Sequence, residues 1–142
     1  TLSDLEYAVV AVPPTGDVYT AGPQLGARKN GKPVKRVPRS NIVFVAVSNS
    51  FPEKTCEVVR RLGLRGRSLG TSALELVFTA EGVARGFVDL RGRLRLLDVA
   101  GALTFGKYVS GFKYVIYGDT RPDSRISIIA GDEEFVNAAT AI

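Results

Sequence analysis

Residues Gly70–Leu90, GTSALELVFTAEGVARGFVDL, followed after a short basic connection by Leu96–Phe105, LLDVAGALTF, decide how this chain folds. Thr71 or Ser72 can cap a helix whose Leu74, Val77, Phe78 and Ala80 share one face. Phe87–Leu90 is then a short apolar strand ended by Asp89, and a third helix is expected from Val99 to about Lys107. Asp98 is the odd residue, one acid in an apolar run. It can cap that helix, or it can point into a cleft and hold a cation, since a buried carboxylate needs a partner.

Working outward, the alternation continues. Ile42–Val47 reads as a continuous apolar strand, Pro52–Leu62 as a helix with proline in its first turn, and Leu64–Leu69 as a short basic strand or loop. Lys113–Tyr117 and Ile126–Ala130 complete the strands, and Asp132, Glu133 and Glu134 open a last helix with acids placed against its dipole. Strand and helix in alternation predict an α/β layer, a mostly parallel or mixed sheet covered by helices. The first residues differ. Leu5–Val12 is a β-rich run stopped by Pro13-Pro14, Thr15-Gly16-Asp17 turns into Val18–Thr20, and Asn30-Gly31 predicts a tight type I′ hairpin. Such short strands bury little alone, so they are expected to belong to a larger antiparallel sheet. The expected division is therefore 1–38, antiparallel strands and hairpin, and 39–142, an α/β domain, with the junction near Val37-Pro38-Arg39-Ser40.

Composition narrows the chemistry. The chain has 142 residues, 45% of them hydrophobic, enough for a real core. It has no histidine and one cysteine, Cys56, so His-dependent triads and the usual Zn sites are excluded and any metal would sit among oxygen ligands, as Mg²⁺ or Ca²⁺ does. A single cysteine excludes an internal disulfide and fits a reducing, cytoplasmic compartment. No apolar run approaches the roughly 18 residues of a membrane span, and TLSDLEY lacks the layout of a signal peptide. The formal charge of +5 permits anionic partners, either nucleic acid or phosphorylated small molecules. The basic stretches lack interleaved aromatics and any nucleic-acid motif, which argues against the former. The absence of His, Met and Trp leans towards a thermophilic source.

Three clusters could carry chemistry. Gly70-Thr71-Ser72-Ala73 puts small residues at a helix start, where free backbone N–H groups suit an anion or hydroxyl, or where Thr or Ser simply caps. Asp89 ends a strand, where ligand sites gather in α/β sheets, or where an acid is merely solvated. Arg91, Arg93 and Arg95 alternate through the connection, either as a cation for a phosphate or as a solvated basic hairpin.

In their order these motifs resemble the inositol monophosphatase family of Mg²⁺-dependent sugar phosphatases, including its archaeal-type inositol monophosphatase/fructose-1,6-bisphosphatase members. GTSALEL…FVDL followed by Leu97-Asp98-Val99-Ala100-Gly101-Ala102 looks like the family's carboxy-terminal half. YAVVAVPPTGDVYTAGPQLGARKNGKPVK looks like its preceding strands and Asn-Gly hairpin. The resemblance implies a layered αβα lobe preceded by antiparallel strands of a larger sheet. It also implies a hydrolase that uses Mg²⁺ to drive water onto a phosphate monoester, with inositol monophosphate or fructose 1,6-bisphosphate as substrate, and a homodimer. Residue by residue, it makes Asp98 a catalytic Mg²⁺ ligand. It makes Gly70, Thr71, Ser72 and Ala73 the segment that contacts the sugar or inositol ring. It makes Asp89 the acid that takes a substrate hydroxyl; the basic connection at Arg91, longer and more basic than in many members, would suit a second phosphate of a sugar bisphosphate, against the alternative of a solvated basic hairpin.

The departures matter as well. The family's Asp-Pro-x-Asp-Gly-Thr segment and its glutamate from an earlier helix are not in these residues, so the chain reads as the carboxy-terminal portion, with that segment expected before Thr1. One aspartate cannot assemble a Mg²⁺ pair, and the chain alone is expected to hydrolyse phosphate esters poorly or not at all. Leu97 stands where Trp is usual, and Tyr108-Val109-Ser110-Gly111 where Glu-Ala-Gly-Gly is common. The competing function is a non-catalytic binding or assembly module of the same fold.

Overall fold

The computed structural model describes residues 1–37 and 40–142. Among the described residues, two sheets and four helices alternate in layers. After a short 3₁₀ turn at Leu2–Asp4, β1 (Ala8–Val12), β2 (Asp17–Gly22), β3 (Gly26–Lys29) and β4 (Lys32–Pro33) form an antiparallel sheet in that order. Between β3 and β4, Asn30 and Gly31 take φ of 50° and 79°, the left-handed pair that the Asn-Gly sequence predicts. The Asn30 side chain locks the turn, its Oδ1 accepting from Val18 N at 2.8 Å and its Nδ2 donating to Asp17 Oδ1 at 2.9 Å. Pro38 and Arg39, within the expected junction, lie outside the described residues.

The second sheet has five strands in the order β6-β5-β7-β9-β8: β5 (Ile42–Val45), β6 (Arg65–Arg67), β7 (Gly86–Arg95), β8 (Lys113–Tyr117) and β9 (Arg125–Gly131). It is mixed. β5 pairs in parallel with β6 and β7, whereas β9 runs antiparallel to β7 and β8. Of the expected mostly parallel or mixed sheet, the mixed form is found, because β8 and β9 follow each other without a helix between them and so return as antiparallel neighbours. The sheet's centre is largely apolar (Val43, Phe44 and Val45; Phe87 and Val88; Ile126, Ile128, Ile129 and Ala130, interrupted only by Ser127 in β9), as strands covered on both faces should be. The edges are different: β6 is a three-residue Arg-Gly-Arg strand, short and charged, which blunts pairing with another chain.

Helices α2 (Ser72–Glu81) and α3 (Leu96–Lys107) pack together between the two sheets, touching β1 on one side and β7 on the other. That position explains α3, whose Leu96, Val99, Ala102, Leu103 and Phe105 are buried around most of its circumference. Helices α1 (Glu53–Arg61) and α4 (Glu133–Thr140) cover the far face, where Val58, Phe135, Val136 and Ala139 meet Val43, Val45, Val88 and Ile129. Asp132 caps α4, its Oδ1 accepting from Phe135 N at 2.7 Å.

β1 starts at Ala8 rather than Leu5 and β5 ends at Val45 rather than Val47, and two further boundary differences bear on the site. β7 does not stop at Leu90 but runs on to Arg95, with a register shift against β9 between Asp89 and Leu94. Helix α3 then starts at Leu96 directly from the strand, three residues earlier than Val99, since Leu96 and Val99 are pulled together into the core.

Candidate active site

The loop Ser68–Thr71 leads from the edge strand β6 into α2. Gly70 makes its turn at φ 79°, a conformation other residues resist, and the space where a side chain would stand is open. Thr71 is the N-cap residue of α2 but makes no side-chain cap bond, so the free N–H groups at the helix start face outward unclaimed by it. The loop is held instead by Glu75, one turn into the helix. Its Oε1 accepts from Leu69 N at 2.5 Å, and the residue is 1% exposed. Burial pushes the Glu75 carboxyl above its ordinary range, an effect offset in part by the Leu69 and Gly70 N–H groups; the Asp89 charge adds to the rise and Arg91 opposes it.

Asp89 and Arg91 stand two residues apart in β7, hence on one side of the strand. They form a two-pronged ion pair: Arg91 Nη2 donates to Asp89 Oδ2 at 2.7 Å and Nε donates to Oδ1 at 3.0 Å. Asp89 is 0% exposed, so the reading of a solvated strand end is wrong, and the pair raises the Arg91 pKa further. Arg91 Nη1 also reaches Val47 O at 3.4 Å, and Arg93 Nη1 donates to Asn49 Oδ1 at 3.2 Å. These contacts bring the Val47–Ser50 loop after β5 to the same end of the sheet. Three loops, following β5, preceding α2 and within β7, thus gather at the carboxy-terminal ends of the parallel strands, the usual crevice of an α/β sheet.

Asp98 is placed differently. It is the third residue of α3, not its cap; the N-cap position belongs to Arg95. Arg95 Nε lies 3.1 Å from Asp98 Oδ2, and the two side chains are 54% and 50% exposed. The early start of α3 explains why the capping expectation fails: an N-cap must lie outside the helix, and Asp98 is inside it.

No protein-family model matches the chain. Over 101 residues it is 34% identical to a fructose-1,6-bisphosphatase of Pyrococcus furiosus, covering 71% of this chain and 39% of that protein. Over 95 residues it is 33% identical to a fructose-1,6-bisphosphatase/inositol-1-monophosphatase of Methanothermobacter thermautotrophicus, covering 62% and 32%. The solved structure of an extragenic suppressor from Pyrococcus furiosus superposes with a TM-score of 0.73 at 26% identity, over 96% of this chain and 57% of that one. The chain belongs to the inositol monophosphatase family. It spans 32% and 39% of the lengths of those two curated relatives.

The structure places Gly70–Ala73 and the Asp89–Arg91 pair after the same ends of the parallel strands, and Glu75 holds the turn that leads into the first. Sequence reasoning missed Glu75 because a glutamate in a helix facing the core looks like any surface acid until its neighbours are known; its place four residues after Thr71 was the available signal. It also missed the Ser48-Asn49-Ser50 loop, whose polar composition marks a loop but not its direction. Asp98 is not drawn into this group, its carboxylate being turned to Arg95. Among the described residues no three His, Cys, Asp or Glu side chains are grouped to hold a metal. Asp98 alone, already paired and half in water, does not fit a Mg²⁺ pair, each ion of which wants about six oxygen ligands including water. Also among the described residues, no helix is long and apolar enough to cross a membrane.

Proposed function

We propose that this chain is the substrate-cradling portion of a Mg²⁺-dependent phosphate monoester hydrolase acting on inositol monophosphate, fructose 1,6-bisphosphate or both. The observation that carries the reading is the convergence of the Gly70 turn, the start of α2 and the buried Asp89–Arg91 pair at one end of the parallel strands. Ring hydroxyls both donate and accept. Backbone N–H groups and hydroxyls of Gly70, Thr71, Ser72 and Ala73 bind them, and Asp89 accepts from one of them. Arg91 covers Asp89, so a substrate hydroxyl reaches the carboxylate as the guanidinium swings out, and that same movement frees Arg91 for a second phosphate.

In this reading Asp98 contributes one carboxylate to the Mg²⁺ site, and the remaining ligands come from the part of the fold that the relatives possess beyond the matched stretch. No step of hydrolysis is assigned to the residues of this chain alone, and alone it turns over poorly. Residues 1–38 are then the remainder of an amino-terminal sheet and 39–142 the carboxy-terminal domain of a homodimeric, cytoplasmic enzyme. The absence of a grouped ligand set among the described residues is what favours the second reading, a binding module of the same fold. Titration of the ¹⁵N-labelled chain with inositol 1-phosphate tests the cradle. Amide shifts confined to Gly70–Ala73 and the Asp89–Arg91 strand support it, and no shift there at millimolar ligand refutes it.

A further inference from the structure

We propose that Glu75 is a positioning residue that fixes the Leu69–Thr71 turn on the start of α2, so that this side of the crevice keeps one conformation. The inference rests on the reading of these segments as a ligand site, but its geometry stands independently of any ligand. Three observations carry it. First, the turn lacks the anchor a helix start normally has: Thr71 makes no side-chain cap bond, and Leu69, Gly70 and Thr71 are all exposed. A turn built on an open, left-handed glycine with no cap has little else to select one conformation.

Second, Glu75 reaches back across six residues to Leu69 N, two positions before the cap, and does so from a fully buried site. A capping-box acid bonds the N-cap amide; this one ties down the turn itself. Third, burial raises the Glu75 carboxyl above its ordinary range, and the groups that chiefly oppose that rise are the N–H groups of the turn itself, those of Leu69 and Gly70. Burying an acid is costly unless it is bonded, and the bond this one makes is to the turn. Thr79 Oγ1 donates to Glu75 O at 2.7 Å, which concerns only the backbone of the helix and leaves the carboxylate to its role.

The test uses hydrogen exchange in the ligand-free chain. Glu75→Ala and Glu75→Asp, the latter too short to reach Leu69, should speed exchange of the Leu69 and Gly70 amides by roughly tenfold or more. Core amides of Ile128 and Ile129 should stay protected. Glu75→Gln, which keeps an accepting oxygen, should restore protection to within about threefold. Should Glu75→Ala fail to fold, the Glu75→Asp and Glu75→Gln pair decides. Unchanged Leu69 and Gly70 exchange in a folded Glu75→Asp variant overturns the proposal, as does loss of protection in Glu75→Gln equal to that in Glu75→Asp. An inositol 1-phosphate titration of the unmutated chain without response would strike the ligand reading alone, and the exchange rates would still decide whether Glu75 holds the turn.

Discussion

Two arginine–aspartate pairs sit within ten residues of each other, and the structure predicts that their loss has very different consequences. Arg91 holds Asp89 in a wholly buried site through two close bonds, with the guanidinium 15% exposed. Truncation to Arg91→Ala leaves a carboxylate with 0% exposure and no ionic partner. Removing one member of a buried pair costs about 3–5 kcal/mol. The edge of Arg91 still touches water and Arg91 N still donates to Asp89 Oδ1 at 3.1 Å, so about 2–4 kcal/mol is expected here. Arg95→Ala breaks the pair with Asp98, in which both side chains are half exposed, and should cost no more than about 1 kcal/mol. Urea unfolding followed by circular dichroism reads the difference. With a slope of about 2 kcal/mol/M, the midpoint should fall by ~1–2 M for Arg91→Ala and by less than ~0.5 M for Arg95→Ala, slopes unchanged. The double change Asp89→Asn with Arg91→Met should recover much of the loss, because no unpaired charge remains. Equal midpoint shifts for the two single variants would refute the distinction between the pairs.

The packing yields further expectations. Gly86→Ala would push a methyl into the ring of Phe135, which is fully buried between β7 and α4, and should cost about 1–3 kcal/mol in the same urea assay. Tyr19 is buried with its hydroxyl donating to Glu81 Oε2 at 2.9 Å, and burial together with that acid holds the phenol protonated far into the alkaline range. Tyr19→Phe should lower stability by about 1–2 kcal/mol, and ultraviolet titration should lose one late-ionising tyrosine. For Glu75, the folded carboxyl binds its proton more tightly than the unfolded one. Stability from this group is therefore greatest below the ordinary glutamate range and is lost as pH rises through the raised folded value. Glu75→Gln should flatten that part of the stability–pH curve, measured by urea midpoints across mildly acidic to neutral buffers.

Much of the layered fold could be read from local signals. Asn30-Gly31 prescribed its turn, the continuous apolar run of β5 announced a buried strand, and Asp132 followed by Glu133 and Glu134 marked the start of α4. What the sequence concealed was set by tertiary packing. Asp98 looked like a cap because it was the one acid just ahead of the expected helix start at Val99, but burial of Leu96 and Val99 on one helical face drew the helix start past it. Asp89 and Arg91 each looked surface-bound when considered singly. Only the strand's two-residue period, plus the covering Val47–Ser50 loop, converts them into a buried pair. Glu75 left only a weak signal, its place four residues after Thr71: its partner amide lies six residues back, beyond the three-residue spacing of a capping box.

The central claim is that this chain carries part of a phosphatase site which further carboxylates complete, and one measurement addresses it most directly. The chain is joined behind the amino-terminal part of the Pyrococcus furiosus fructose-1,6-bisphosphatase it resembles, and phosphate release from inositol 1-phosphate and fructose 1,6-bisphosphate is followed across a Mg²⁺ range. Release that depends on Mg²⁺ and is abolished by Asp98→Asn, with folding retained, is the predicted result. A folded fusion that releases nothing at any Mg²⁺ concentration, or whose release is unaffected by Asp98→Asn, would contradict it.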